Sequence, residues 1–132
     1  MSTVTHLNPD ALPRNPAFSH AVVVENPTRM IYVGGQNAVA PDGTIDGDDV
    51  ATQTRRALAN LELVLTAADA TLADVVSWSI AVRDNHPIDA AFGAFQAVWN
   101  REDPPPALCV AIVAGLAHPR FLVEISAVAA GR

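Results

Sequence analysis

With 132 residues, half of them apolar, and a mean hydropathy of +0.22, the chain is long enough to bury one true core and needs no second domain. Fourteen acidic residues against eight basic ones give a net charge of −6, and no basic cluster is longer than Arg55-Arg56, which weighs against nucleic acid as a partner. The one cysteine, Cys109, excludes an internal disulfide, no window approaches the roughly 18 apolar residues of a membrane span, and residues 1–15 are polar with no signal-like stretch; a cytoplasmic protein without a membrane partner is the expectation.

In chain order, residues 4–7 are a candidate first strand. Residues 20–25 and 29–34 are rich in β-branched side chains and are joined by Asn26-Pro27-Thr28, which reads as a hairpin, with a Gly-Gly pair closing the second strand. Pro41-Asp42-Gly43 is a turn signal, and Asp46-Gly47-Asp48 offers a cap for the helix that follows. From Val50, the positions Thr54, Ala57, Leu58, Leu61, Val64, Leu65 and Ala68 recur at helical spacing, with Arg55, Arg56 and Glu62 off that face. Residues 74–83 read as a strand whose parity puts Val76, Trp78, Ile80 and Val82 on one side. Pro87 then suits a first helical turn, and Ile88, Phe92, Phe95 and Trp99 follow as one aromatic stripe. Residues 108–114 and 122–130 complete the pattern as strands linked by a loop at His118-Pro119-Arg120. The order β-β-α-β-α-β-β predicts an α+β fold.

Two helices, each about 10 Å wide, cover roughly four strands spaced about 4.8 Å apart, which accounts for one face of the sheet only. Residues 108–114 and much of 75–82 are nevertheless apolar in both parities, the pattern of strands sheltered on both sides. The second face is therefore expected to pack against other copies of the chain. One residue breaks the apolar run 121–129, namely Glu124. A carboxylate there is either a solvated strand residue or a sheltered group at a functional cleft, held at a cost of several kcal/mol unless paired.

Several segments, in order, resemble the Rid family (RidA/YjgF-type reactive-intermediate deaminases, often labelled L-PSP endoribonucleases). They are Ile31-Tyr32-Val33-Gly34-Gly35-Gln36, Asp49-Val50, Gln53-Thr54, Asn60-Leu61, the stretch 67–76 with its Leu72-Ala73-Asp74-Val75-Val76 close, Pro106-Ala107 and Val123-Glu124-Ile125. The likeness covers nearly the whole chain. It implies a chorismate-mutase-like α+β fold, a homotrimer, and ligand clefts between subunits in which enamines or imines are hydrolysed without a cofactor. It also implies a candidate catalytic Glu124 and ligand-binding positions at Phe18, Gly34, Gly35, Phe92, Leu108 and Cys109.

The chain departs from the family pattern at the same cleft. The family arginine that holds a substrate carboxylate just after Pro-Ala is replaced by Leu108, the N-terminal tyrosine by Phe18, the asparagine of the second helix by Phe92, and the serine before Gly35-Gln36 by Gly34. A leucine supplies none of the paired charge-assisted hydrogen bonds of a guanidinium, so a 2-imino acid is a poor substrate expectation. Cys109 lies in an apolar run with no cation in sight, which favours an inert small hydrophobe over a nucleophile. His6, His20, His86 and His118 have no metal-ligand spacing. Two functional classes follow: a hydrolase acting on an imine, enamine or related carbonyl-derived compound, or a non-catalytic trimer that binds a small molecule or a protein. Ribonuclease chemistry is disfavoured by the acidic composition.

Overall fold

The computed structural model describes residues 1–99 and 104–131. Strand β1 (Thr3–Leu7) is followed by β2 (Ala21–Glu25), β3 (Arg29–Gln36), helix α1 (Val50–Ala67), a single 3-10 turn (Leu72–Asp74), β4 (Val75–Arg83), helix α2 (Ile88–Val98), β5 (Ala107–Val113) and β6 (Val123–Gly131). The main sheet has the order β3-β6-β4-β5; β4 and β5 run parallel and the other pairs antiparallel. The α+β class and the order of elements are as the sequence implies, and the candidate strand at residues 4–7 is real.

The expected hairpin between the second and third strands is not formed. β2 pairs with β1 in a separate two-stranded ribbon, whereas β3 pairs with β6. Asn26 adopts a left-handed conformation (φ 53°), Pro27 has no N–H to give, and the next N–H, that of Thr28, donates to the Gly131 carbonyl at 3.0 Å. The chain is thereby handed to β6 rather than folded back on β2.

Helix α1 begins at Asp49, whose carboxylate accepts from the Thr52 N–H at 3.0 Å and from its hydroxyl at 2.7 Å. Its buried face is Val50, Gln53, Thr54, Ala57, Leu58, Leu61 and Leu65. Val64, expected on that face, is exposed, and Gln53, not expected there, is buried. Each fully buried leucine adds about 2 kcal/mol of hydrophobic stabilisation. In β4 the predicted parity holds for Trp78, Ile80 and Val82, which belong to the core, whereas a register slip between Val75 and Ser77 puts Val75 in that core in place of Val76, which is buried outside it. The indole of Trp78 meets the rings of Phe95 and Trp99 edge-on at 5.1 and 5.8 Å, joining α2 to the sheet centre. On α2, however, it is Ala91, Ala94 and Phe95 that are buried; Ile88, Phe92 and Trp99 are only half-buried.

The face of the sheet away from the helices carries Tyr32, Ser77, Ser79, Ala81, Ala107, Cys109, Ala111, Glu124, Ser126 and Val128, as the strand registers dictate. It is a floor of small side chains, and Tyr32, Ser79, Cys109 and Ala111 are exposed on it.

Candidate functional site

The register of β3 against β6 slips between Val33 and Gln36: three steps along β3 match two along β6, from Ala127 to Ile125. The extra residue is accommodated at Gly34-Gly35 as a β-bulge, a device that bends a strand and re-aims its neighbours. The bulge brings the Gly35 backbone against Glu124. A Cβ built on Gly35 would lie 2.6 Å from Glu124 Cδ and 2.9 Å from Oε1, so glycine is the residue that leaves room for this carboxylate; a Cβ on Gly34 would meet nothing within 4 Å. Glu124 is half-buried on the open face, opposite Ala81, and no described residue donates a hydrogen bond to its oxygens.

The strand start that carries Glu124 is fixed from below by amides. The Asn37 amide donates to the Val123 carbonyl at 3.0 Å, and Asn60 of α1 donates to the carbonyls of Asn37 and Val39 at 3.0 and 2.8 Å. Buried Gln53 accepts from the Leu122 N–H at 2.9 Å and donates to the carbonyls of Gly47 and Arg120 at 3.0 and 2.9 Å. These three amides escape a reading based on apolar periodicity, but the pairs Gln53-Thr54 and Asn60-Leu61 were already part of the family likeness. Their role is to tie α1 to the two loops that bracket Glu124.

The other positions expected at the cleft do not gather around Glu124 within one protomer. Cys109 shares the open face but lies diagonally across β4, opposite Ser79, which itself faces Ser126. Leu108 sits opposite Trp78 and packs into the core on the helix side. Phe92 is on that side too, lining with Ile80, Val82 and Val110 a crevice of about 10 Å³, too small for a metabolite. The physical reason is parity: adjacent residues of a strand point to opposite faces, so within one protomer Leu108 and Cys109 lie on opposite sides of the sheet. Phe18 lies beyond the β5 edge, stacked edge-on against His20 at 5.4 Å, while the next residue, Ser19, bridges to Ala107 and donates its hydroxyl to the Pro105 carbonyl.

Among the described residues no group of three or more His, Cys, Asp or Glu side chains is placed to hold a metal ion, and no helix is long and apolar enough to cross a membrane. Among the described residues, two carboxylates are held below the usual range, both away from Glu124 in the chain: Asp42, through the hydroxyl and then the N–H of Thr44, and Asp49, through the N–H and then the hydroxyl of Thr52.

Comparison with known proteins agrees with this architecture. The crystal structure of the Rid-family protein YyfB from Yersinia pestis, described as of unknown function, superposes with a TM-score of 0.85 at 35% identity, covering 96% of this chain and 98% of that one. The YjgF gene product of E. coli superposes with a TM-score of 0.71 at 30% identity over 78% of this chain and 81% of the other. Protein HMF1 of Saccharomyces cerevisiae is 32% identical over 116 residues, 84% of this chain and 86% of that protein. The profile of the family described as Endoribonuclease L-PSP matches residues 9–131, and the chain therefore belongs to the Rid/YjgF (L-PSP) family.

Proposed function

We propose that the chain assembles as a homotrimer through its open sheet face, and that the seams between subunits accept a small imine, enamine or related carbonyl-derived compound, on which Glu124 acts as general acid and base. The observation that carries this reading is the carboxylate itself: lodged on the Gly35 bulge, with no hydrogen-bond donor among the described residues, it keeps its lone pairs for water or a ligand. In such a hydrolysis Glu124 takes a proton from the water attacking the C=N carbon and returns it to nitrogen, releasing a carbonyl compound and ammonia or an amine.

The substrate is one without an amino-acid carboxylate at the family's usual anchor. Leu108 is apolar and packed in the core, so no cation is offered from that position. Turnover of 2-iminobutyrate and 2-iminopropionate is expected to be negligible, and vigorous hydrolysis of either would overturn this part. The net charge of −6 gives no support to RNA cleavage, whatever the family label. The exposed lone cysteine is compatible with a reducing, cytoplasmic setting.

A second reading, a trimer that binds without catalysis, is favoured by one observation. Glu124 is the sole carboxylate among the open-face positions described, so no second carboxylate is placed there to share the proton work. Comparing Glu124→Gln with the parent on imine and carbonyl compounds separates the two: binding retained with turnover lost supports an enzyme, and no turnover in either protein supports the binder.

A further inference from the structure

Tyr32 and Val128 face each other across β3 and β6 on the open side of the sheet, and Tyr32 is 77% exposed. Among the described residues β3 pairs in its sheet with β6 only, so Tyr32 stands at the rim of that face rather than in its middle. Two steps further along β3, Gly34 presents no side chain, and a Cβ built there meets nothing within 4 Å. In the slipped register Gly34 and Gly35 together oppose Ser126, a half-buried residue of the same face. At Gly35 the Glu124 carboxylate leans across from β6, its Cδ 2.6 Å from where a Cβ would lie. Tyr32 and Gly35 are three steps apart, roughly 10 Å of strand. The three residues thus frame a trough with a bare floor, an aromatic ring at one end and a carboxylate at the other.

We infer that Tyr32 is the specificity-determining residue of the Glu124 site, which takes an uncharged compound with a flat, conjugated body: the body stacks on the Tyr32 ring over Gly34, and its nitrogen group donates to Glu124. The inference rests on Glu124 being the ligand-facing acid, as proposed above. Three features select that ligand. An exposed tyrosine ring offers a π-face, and aromatic pairs with centroids about 4.5–7 Å apart gain more than their buried area alone provides. Gly34 leaves a flat body room to lie along the strands, where a larger side chain would hold it off. The carboxylate accepts from an N–H and repels a second carboxylate, which sets this ligand apart from an anion.

The probes are benzamide, which is flat and neutral, cyclohexanecarboxamide, puckered and neutral, and benzoate, flat and anionic, each titrated into the full chain and followed by saturation-transfer NMR, with light scattering of every variant. Benzamide is expected to bind about fivefold more tightly than either of the others. Tyr32→Leu is expected to lose the preference for benzamide over cyclohexanecarboxamide and Tyr32→Phe to keep it, both at the parent's assembled mass. Gly34→Leu, whose side chain enters open space and fills the trough, is expected to melt like the parent and to lose about fivefold or more in benzamide affinity. Equal affinity of the parent for the two amides, no detectable benzamide binding, a parental preference in Tyr32→Leu, or parental benzamide affinity in Gly34→Leu would overturn the inference. Dissociation of Tyr32→Leu into lighter species would overturn it too, by assigning Tyr32 to contacts between subunits. Glu124→Gln separates the inference from the reading it rests on: it is expected to keep the preference for the flat amide and to gain in benzoate affinity. Unchanged benzoate affinity in Glu124→Gln, with that preference intact, supports Tyr32 and overturns the role given to Glu124.

Discussion

Glu124 and Gly35 form the contact on which the candidate site turns, and it can be broken from the glycine side. In Gly35→Ala the new methyl lies within 2.9 Å of three Glu124 atoms, all at the far end of a flexible side chain, so the carboxylate must rotate while the backbone stays. The stability change is expected to stay within about 1 kcal/mol, whereas any turnover that needs Glu124 falls as in Glu124→Gln. Gly34→Ala, with open space around it, is the control and is expected to behave as the parent; a crystal structure of Gly35→Ala with the Glu124 side chain unmoved would refute the account. Gln53 is the opposite case. Gln53→Leu keeps the volume but strands the Leu122 N–H and two carbonyls, and urea denaturation is expected to show a loss of about 2–4 kcal/mol with an unchanged slope. Glu124 was legible in the sequence as a charge inside an apolar run. Gln53 as a buried clamp was not, because a glutamine next to an apolar stripe looks the same whether it points in or out until its partners, 67 and 69 residues away, are known.

For the elements, caps and periodicity told most of the story. The Asp49 carboxylate is held below the ordinary aspartate value of 3.8 by the N–H and then the hydroxyl of Thr52. A carboxylate depressed in the folded state stabilises above its unfolded pKa, and that stabilisation is lost as pH falls through the folded value. The melting temperature of the parent is therefore expected to drop as pH is lowered below about 4, and Asp49→Asn, which keeps an N-cap acceptor without the titration, is expected to flatten that part of the profile. An unaltered pH dependence in Asp49→Asn would contradict this. The strands and both helices were readable from parity and 3.6-residue spacing, and the parity of β4 was right from Trp78 to Val82 but missed the slip that puts Val75 rather than Val76 in the core. The β2–β3 hairpin failed because a Pro-containing linker between two β-rich runs does not say which strand each will pair with. That choice is made by β6, which captures the Thr28 N–H and the whole of β3.

At the scale of the whole molecule, an open sheet floor of Ser, Ala and Cys with Tyr32 projecting from it is suited to close approach by an identical neighbour. Light scattering is expected to give three times the 13.9 kDa of one chain, and Ser79→Glu, which sets a charge at the centre of that floor, is expected to give a single chain. Cys109 reports on the same event: iodoacetamide is expected to label it faster in Ser79→Glu than in the parent. A parent protein that runs as one chain at micromolar concentration would remove the trimer and its seams together. The sequence by itself determined the element types, the one-sided helix cover and the presence of a lone carboxylate in the last apolar run, because hydrophobic period, capping residues and an isolated charge are local properties. Only the tertiary structure decided that β1 and β2 stand apart, that a glycine bulge cradles Glu124, and that Leu108 and Phe92 turn toward the helices. Strand partners and strand faces are fixed by contacts between residues far apart in the chain, and a one-residue change of register reverses every side chain it touches.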